Sequence, residues 1–268
     1  MRIIGLIGAG NMGSALVRGM LNKRVTEAGS VFAYDTDTEK LNAIAAATGI
    51  RAAKSNGELA GLADIIILAV KPDIAPGVLE QIASLLTGDK LVISIVLGLS
   101  LSRISELTGN RARYIRCLPN TPALVNEGMT CVSMGDGTDG NDRELAAALF
   151  NAVGATEFLA EKDLEKVTAL TGSSPAYIFM LIEAMADAAV MSGLPRALSY
   201  KMASQAVLGS AKMVLETGRH PGELKDMVCS PAGSTIEAIR VLESKGFRSA
   251  VIDAMRACDE RAREIASK

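Results

Sequence analysis

The sequence contains a single histidine, so acid–base side chains are few. Its candidate functional residues are mainly glycines, which can shape a binding site, and side chains with hydroxyl groups. The most informative segment is Gly8-Ala9-Gly10-Asn11-Met12-Gly13, which follows an apolar run at once and opens a helical pattern. In such a turn the first glycine makes the bend, the second lets the backbone approach a pyrophosphate, and the third lets helix and strand pack closely. The helix amino terminus adds free N–H groups and a positive dipole end. The context therefore predicts a dinucleotide site rather than an ordinary tight turn.

A carboxylate stands where such sites bind the adenosine ribose. Asp35 ends the second apolar run, about 20 residues beyond Gly13, where a carboxylate accepts hydrogen bonds from ribose hydroxyls and repels a 2′-phosphate. Asp37 adds a second negative charge, and no arginine follows before Arg51. Asp37 is better explained as the cap of a helix that begins near Thr38, and a cap is an equally good explanation of Asp35. The sequence therefore favours NADH over NADPH only through Asp35.

A second candidate anion site is the segment Ser230-Pro231-Ala232-Gly233-Ser234-Thr235, which runs into another helical pattern. Its free backbone N–H groups could hold a carboxylate, and the alternative is an ordinary helix cap at Ser234. The Thr235 hydroxyl, one residue into the helix, could orient a substrate and relay a proton from water. His220 is explained best as a helix cap. Lys71 follows a strand, at the edge where open sheets bind ligands.

The elements that would position these groups fall into two halves. The first alternates apolar runs with helical segments, the order of an α/β, doubly wound (Rossmann-type) parallel sheet. The predicted strands are 3–7, 31–34, 65–70, 91–96, 114–117, 129–134 and 156–159, and the helices between them are 11–21, 38–48, 76–86, 101–107 and 143–152. The second half is an all-helical domain with helices at 175–192, 195–217, 234–244 and 247–266. We expect a dinucleotide-binding domain over residues 1–161 and a helical dimerisation and substrate-binding domain over 162–268.

Composition narrows the possible partners. A net charge of -2 gives no general attraction to polyphosphate, so nucleic acid is not an expected partner. The cysteines lie in apolar stretches without a CxxC pair, which favours reduced core residues over metal ligands or disulfides. The longest uninterrupted apolar runs, such as 65–70, are far shorter than the ~20 residues of a membrane span, and the amino end reads as a strand rather than a signal peptide. We expect a cytoplasmic protein that contacts no membrane, with an interface helix at 178–190 that is apolar on most faces.

Six segments, in this order, resemble the pyrroline-5-carboxylate reductase family along essentially the whole chain. They are the glycine turn, Ala69-Val70-Lys71-Pro72, Arg116-Cys117-Leu118-Pro119-Asn120-Thr121-Pro122, Leu170-Thr171-Gly172-Ser173-Ser174-Pro175-Ala176-Tyr177, His220-Pro221-Gly222-Glu223-Leu224-Lys225-Asp226 and the Ser230–Thr235 segment. The resemblance implies NAD(P)H-dependent reduction of the C=N bond of 1-pyrroline-5-carboxylate to L-proline, the last step of proline biosynthesis. It also implies a homodimer in which the partner subunit completes each active site, with further assembly of dimers.

The resemblance further implies which residues contact each ligand. The cofactor would contact Gly8, Ala9, Gly10, Asn11, Met12, Gly13, Asp35, Asp37, Asn56, Ala69, Val70, Lys71, Pro72, Ile95, Val96 and Leu97. The substrate would contact Gly233, Ser234, Thr235 and Glu161, with Thr235 as the catalytic residue.

Two departures from the family pattern affect these contacts. Ile95, Val96 and Leu97 stand where the family often has small residues, which would narrow the nicotinamide pocket. Ala232 stands where it often has glycine, and alanine fits a tight loop only if its φ is negative.

Two other functions are compatible with some of these residues. Other imine or 3-hydroxyacid dehydrogenases with this two-domain plan commonly carry a lysine on the first helix of the second domain. The segment around Tyr177 offers only Glu183 and Asp187. A non-catalytic NAD(H)-sensing protein would lack a second anion site, so the Ser230–Thr235 segment argues against it.

Overall fold

The computed structural model describes residues 2–266, with side chains described from residue 2 to residue 264. Met1 and residues 267–268, at the outer ends of the two predicted domains, lie outside the described residues. The chain divides into two compact units. Of the described residues, the first contains 2–172 and 259–266, and the second is Ser173–Cys258.

An eight-stranded sheet forms the centre of the first unit, with the strand order β3-β2-β1-β4-β5-β6-β7-β8. The strands are β1 (Ile4–Ile7), β2 (Val31–Tyr34), β3 (Arg51–Ala52), β4 (Ile65–Leu68), β5 (Leu91–Ser94), β6 (Arg113–Leu118), β7 (Gly128–Met134) and β8 (Gly154–Phe158). All neighbours pair in parallel except β6 and β7, which are antiparallel. The chain reverses there because the β6–β7 connection is shorter than the dozen or so residues that a crossover needs. The predicted doubly wound sheet is confirmed, with this one reversal.

Helices cover both faces of the sheet, because successive strand residues point to opposite sides. Ile65 and Ile67 of β4 pack in one hydrophobic core, while Ile66 and Leu68 pack in the other. The first core is closed by α1 (Asn11–Asn22), α2 (Thr38–Thr48) and α6 (Gly140–Asn151), and the second by α3 (Asn56–Leu62), α4 (Ala75–Ile82) and α5 (Leu101–Thr108). After β8 follow the short α7 (Glu161–Leu164) and a π-helical turn, Thr168–Gly172. The short β3, α3 and α7 are absent from the sequence-based prediction, because too few residues show a period.

The second unit is helical, as predicted. It contains α8 (Ser174–Met191), α9 (Arg196–Thr217), α10 (Pro221–Val228), α11 (Ser234–Ser244) and most of α12 (Phe247–Ala266). Helix α8 packs against α9, yet Ala186 is its one buried residue among those described. Phe179, Met180 and Met191 are 63%, 69% and 89% exposed. A single chain therefore leaves most of this apolar helix uncovered.

The apolar segment is also longer than the sequence-based estimate allowed. Thr168–Met191 has the length and composition of a membrane-spanning helix, with a mean hydropathy of 1.3 over an 18-residue window. The estimate considered uninterrupted apolar runs and missed a stretch that contains small and polar residues. Length and composition alone do not distinguish such a helix from one that packs on other helices.

Candidate functional site

The glycine turn between β1 and α1 has the geometry that a dinucleotide requires. Gly8 has φ +102°, and a Cβ atom there would lie 2.5 Å from the Ala69 carbonyl oxygen. A Cβ at Gly13 would lie 2.3 Å from the Gly8 carbonyl oxygen, so α1 packs closely on β1. By contrast, no heavy atom other than those of Gly10 and its chain neighbours lies within 4 Å of a Cβ built at Gly10, the α1 N-cap, and no side chain caps that helix. These residues fit a pyrophosphate, which would occupy the open space at Gly10 and accept hydrogen bonds from free N–H groups at the start of α1.

Asp35 lies directly beside this turn. Its Oδ2 accepts the Ala9 N–H at 2.7 Å, and its Oδ1 accepts the Asp37 N–H at 2.8 Å. An ionised carboxylate offers about four acceptor positions, so two remain for ribose hydroxyls. The cap of α2 is Asp37, which accepts the Lys40 N–H at 3.2 Å. The cap explanation of Asp37 is confirmed, and that of Asp35 is wrong.

Lys40 is a charged residue that the sequence analysis missed. Its Nζ lies 2.7 Å from Asp37 Oδ2, and it lines the same groove as Ala9 and Gly10. The hydrogen bond from the Lys40 ammonium lowers the pKa of the Asp37 carboxyl, and the same contact raises the pKa of Lys40. A lysine in the first turn of a predicted helix gives no sequence signal that distinguishes it from a surface charge.

The remaining predicted cofactor residues follow the carboxyl ends of neighbouring strands. Ala69–Pro72 follow β4 and Ile95–Leu97 follow β5, so both segments lie at the same edge of the sheet as the glycine turn. Leu97 is 52% exposed, whereas the Val96 side chain is buried in the core. Asn56 begins α3 and donates through Nδ2 to Gln81 Oε1 at 3.0 Å.

Glu161, predicted to contact the substrate, makes its hydrogen bonds within the first unit. Its Oε1 accepts the Leu101 N–H at 2.7 Å and pairs with Arg116 Nη1 at 3.1 Å. The Arg116 side chain is only 2% exposed. This ion pair was not predicted, although Arg116 lies in one of the six segments, and a substrate contact of Glu161 stays a prediction.

The Ser230–Thr235 segment forms a tight turn that leads into α11. The Gly233 N–H donates to the Ser230 carbonyl at 3.0 Å, with Pro231 and Ala232 at the centre of the turn. Ala232 has φ +56°, so the condition of a negative φ is not met. A proline at the second position followed by a positive φ is the type II arrangement, which favours glycine where this chain has alanine. A Cβ at Gly233 would lie 2.3 Å from Ser230 Oγ, so any side chain there would require the Ser230 side chain to move.

The alternative explanation of Ser234 as a helix cap is wrong. Helix α11 begins at Ser234, its N-cap is Gly233 in an extended conformation, and no side chain caps it. Ser234 is exposed, and the half-buried Thr235 is the second helical residue. The first turn of α11 therefore keeps N–H groups that can bind an anion.

The other titratable candidates have structural roles. His220 Nδ1 accepts the Gly222 N–H at 3.0 Å and caps α10, as predicted. Burial raises the pKa of the Cys117 and Cys131 thiols, while Cys229 and Cys258 are half-buried. In residues 2–266, no group of three or more His, Cys, Asp or Glu side chains could hold a metal ion.

Comparison with known proteins identifies the family. Residues 161–265 match the model for pyrroline-5-carboxylate reductase dimerisation, and residues 3–98 match the NADP oxidoreductase coenzyme F420-dependent model. A pyrroline-5-carboxylate reductase from Escherichia coli (strain K12) is 50% identical over 98% of this chain and 97% of its own length. The chain belongs to the pyrroline-5-carboxylate reductase family. The enzyme from Methanosarcina acetivorans is 42% identical to this reductase over 99% of the chain and 98% of its own length.

Solved structures of the same family have the same fold. A pyrroline-5-carboxylate reductase from Coxiella burnetii matches with a TM-score of 0.92 and 34% identity over 98% of both chains. The Plasmodium falciparum enzyme, solved with NADP bound, matches with a TM-score of 0.88 and 34% identity over 99% of this chain and 98% of its own. This reductase therefore uses a nicotinamide cofactor to reduce the C=N bond of 1-pyrroline-5-carboxylate, and the hydroxyacid dehydrogenase and NAD(H)-sensor alternatives are set aside.

The strained turn gives a stability prediction. Ala232→Gly should stabilise the protein by about 0.5–1 kcal/mol, because the relief of a left-handed alanine exceeds the added flexibility of the unfolded chain. Urea denaturation at one protein concentration measures the change. Ala238→Gly, in the interior of α11, is the matched control and should destabilise by about 1 kcal/mol. Equal destabilisation by both substitutions would contradict the strain at Ala232.

Proposed function

We propose that this reductase binds the substrate carboxylate at the start of α11 and uses the Thr235 hydroxyl to orient the imine nitrogen. The observation that carries the proposal is the uncapped first turn of α11, which follows the Ser230–Gly233 turn in the chain. Its N–H groups and the helix dipole favour a carboxylate without an arginine. At Gly233 the Ser230 side chain occupies the space that a Cβ would need, so a larger residue there would displace Ser230 from the turn.

Thr235 would act on the nitrogen of the imine. Its hydroxyl can donate to or accept from that nitrogen and relay a proton from water, although a threonine is too weak an acid to supply the proton alone. The bound nicotinamide cofactor supplies the hydride. A protonated imine is already a strong electrophile, so this chain mainly has to align the reactants and exclude water. That role agrees with a sequence that has one histidine, which caps α10.

We assign the cofactor to the carboxyl edge of β1, β2, β4 and β5, with NADH preferred over NADPH. The pyrophosphate would lie at Gly8–Gly13, and the adenosine ribose at Asp35, with Asp37 and Asn56 close to that end. The Ala69–Pro72 and Ile95–Leu97 segments would contact the nicotinamide half. The preference is supported by the Asp35 carboxylate, which would repel a 2′-phosphate. Lys40 limits it, because its ammonium offsets part of the negative charge.

The exposed apolar surface of α8 supports a homodimer of this chain, with further assembly of dimers. The matched dimerisation model covers residues 161–265, which agrees with a functional boundary near residue 161. The four cysteines are free, as expected of a protein in the reducing cytoplasm, which we take as its compartment.

The role of Thr235 is tested by removal of its hydroxyl. Thr235→Ala should lower kcat by roughly 10²-fold, since positioned proton-transfer groups contribute at least that much. The Kd of NADH, measured by fluorescence titration, should stay within about twofold, because the predicted phosphate contacts are at Gly8–Gly13.

Two variants serve as controls for Thr235. Thr235→Ser keeps the hydroxyl and should retain most of the activity. Ser234→Ala removes a hydroxyl that does not cap α11, and it should lower kcat far less than Thr235→Ala. A near-normal kcat of a well-folded Thr235→Ala enzyme would show that the proton reaches the nitrogen without this hydroxyl.

Cofactor choice is tested by kcat/KM with NADH and with NADPH. The wild-type enzyme should prefer NADH, and Asp35→Ser should raise kcat/KM for NADPH because the repulsion of the 2′-phosphate is removed. Lys40→Met should lower kcat/KM for NADPH more than for NADH. Better use of NADPH by the wild type would place the Asp35 carboxylate away from the ribose.

Oligomeric state is tested by light scattering. The active protein should have at least twice the 28.0 kDa mass of one chain, because the apolar side chains of α8 need a partner surface. Phe179→Glu should shift the equilibrium toward the monomer. Leu62→Glu, at a 43% exposed leucine of α3, is the control and should leave the mass unchanged. A stable, active monomer would contradict the proposed interface.

A further inference from the structure

The turn between β5 and α5, residues Ile95–Ser100, is held by hydrogen bonds at both ends. At its start, the Ile95 N–H donates to the Leu68 carbonyl at 3.0 Å, and the Val96 N–H donates to Ser94 Oγ at 3.2 Å. Ser94 is fully buried. The middle of the turn is exposed, with Gly98 at φ +76°. The proposed nicotinamide contacts lie in this turn, so the inference below depends on the proposed cofactor placement.

The far end of the turn is held by a residue from a distant part of the chain. Leu101 is the first residue of α5, and the N–H at that position has no acceptor within its own helix. The N-cap Ser100 accepts the Arg103 N–H, which leaves the Leu101 N–H to Glu161 Oε1 at 2.7 Å. A carboxylate at this position also interacts favourably with the positive end of the helix dipole.

Glu161 is itself fixed by the sheet. Arg116, in β6, pairs in register with Ser94 of β5, and its side chain is almost fully buried. The desolvated guanidinium needs a counter-ion, and Glu161 supplies it at 3.1 Å, whereas Glu165 is 4.0 Å away. Leu164, three residues further along, is completely buried against Leu118 and Cys131. The carboxylate is thus held by a charge from β6 and by the packing of α7.

We propose that Glu161 is a positioning residue that fixes the Ile95–Ser100 turn by accepting the Leu101 N–H, while Arg116 holds its carboxylate in place. Glu161 then acts on hydride transfer through the backbone of the turn and does not contact the substrate. If Glu161 has this role, loss of its hydrogen bond to the Leu101 N–H should lower kcat without changing KM for the imine. A misplacement of reacting groups by about 1 Å can lower a rate by roughly 10²-fold.

The most direct test removes the N–H donor and leaves Glu161 intact. Proline is well tolerated at the first position of a helix, and Ser100, with φ -75° and ψ 157°, already has the conformation that precedes a proline. Leu101→Pro deletes the donor, and Leu101→Ala is the matched control that shortens the side chain but keeps the N–H. Leu101→Pro should have a kcat about tenfold or more below that of Leu101→Ala, with the same KM for 1-pyrroline-5-carboxylate within about threefold. NADH deuterated at the transferred position should show a larger isotope effect on kcat for Leu101→Pro. Equal kcat values would overturn the proposal.

A second comparison changes the acceptor. The double variants Arg116→Met/Glu161→Gln and Arg116→Met/Glu161→Met both avoid an unpaired buried charge, which protects folding. The glutamine amide oxygen can still accept the Leu101 N–H, whereas methionine cannot. The glutamine variant should therefore have a kcat about tenfold or more above that of the methionine variant, again with the same KM for the imine. Glu165→Gln is the control for the weaker ion pair and should leave kcat unchanged.

Three results of this second comparison would also overturn the positioning role. The first is equal kcat in the two double variants. The second is a rise of about tenfold in KM for the imine with unchanged kcat in the methionine variant, which would make Glu161 a substrate contact. The third is a loss in Glu165→Gln as large as that in the methionine variant. Failure of the proposed cofactor placement is detected separately, because Leu97→Asp would then leave KM for NADH unchanged.

Discussion

The nucleotide-binding half depends on the close approach of two backbone segments around Gly8. The carbonyl oxygen of Ala69 lies only 2.5 Å from where a Cβ of Gly8 would be, and the carbonyl oxygen of Gly8 lies only 2.3 Å from where a Cβ of Gly13 would be. These contacts bring the start of α1 against the ends of β1 and β4. The free N–H groups of α1 then open at the edge of the sheet where Asp35 and the turns after β4 and β5 end. Any side chain at Gly8 or Gly13 would push α1 away from β1 and β4, and the groups at this edge of the sheet would no longer lie together.

The helical half is governed by a different constraint, which is the burial of apolar surface. Full burial of one large apolar side chain contributes about 1.5–3 kcal/mol, and α8 exposes several in a single chain. The folded unit Ser173–Cys258 therefore carries an unsatisfied driving force for association. The same helices present the start of α11. The proposed dimer interface and the proposed substrate site are thus both built from this helical unit.

Both candidate sites would bind negative charge mainly with backbone groups rather than with cationic side chains. The protein has a net charge of -2, so no long-range field draws in an anionic cofactor or a carboxylate substrate. Uncapped helix starts at α1 and α11 provide local partial positive charge instead. Arginine side chains instead form ion pairs, each with one buried member, that link secondary-structure elements, as in Arg116–Glu161 and Arg113–Asp142. This division agrees with a reaction that needs alignment more than acid–base strength.

The amino-acid sequence by itself determined the glycine turn, the principal strands and helices, and the family. These features depend on local patterns: β2 and α2 have the predicted bounds because a run of apolar residues or a helical period is visible within a dozen residues. It also placed the cap at His220, a local contact. The six segments identified the family because their order and spacing extend over the whole chain.

Tertiary structure alone decided the features that join distant residues. Glu161 meets Arg116 and Leu101 across 45 and 60 positions of sequence, and no pattern in the sequence pairs them. Lys40 approaches the glycine turn only because α1 and α2 lie side by side over the first core. The positive φ of Ala232 and the N-cap at Gly233 are an exception, because they belong to the local turn closed by the Gly233–Ser230 hydrogen bond. Sequence patterns report which residues prefer an element, whereas the contacts of Glu161 and Lys40 arise from how the finished elements pack, which no single segment encodes.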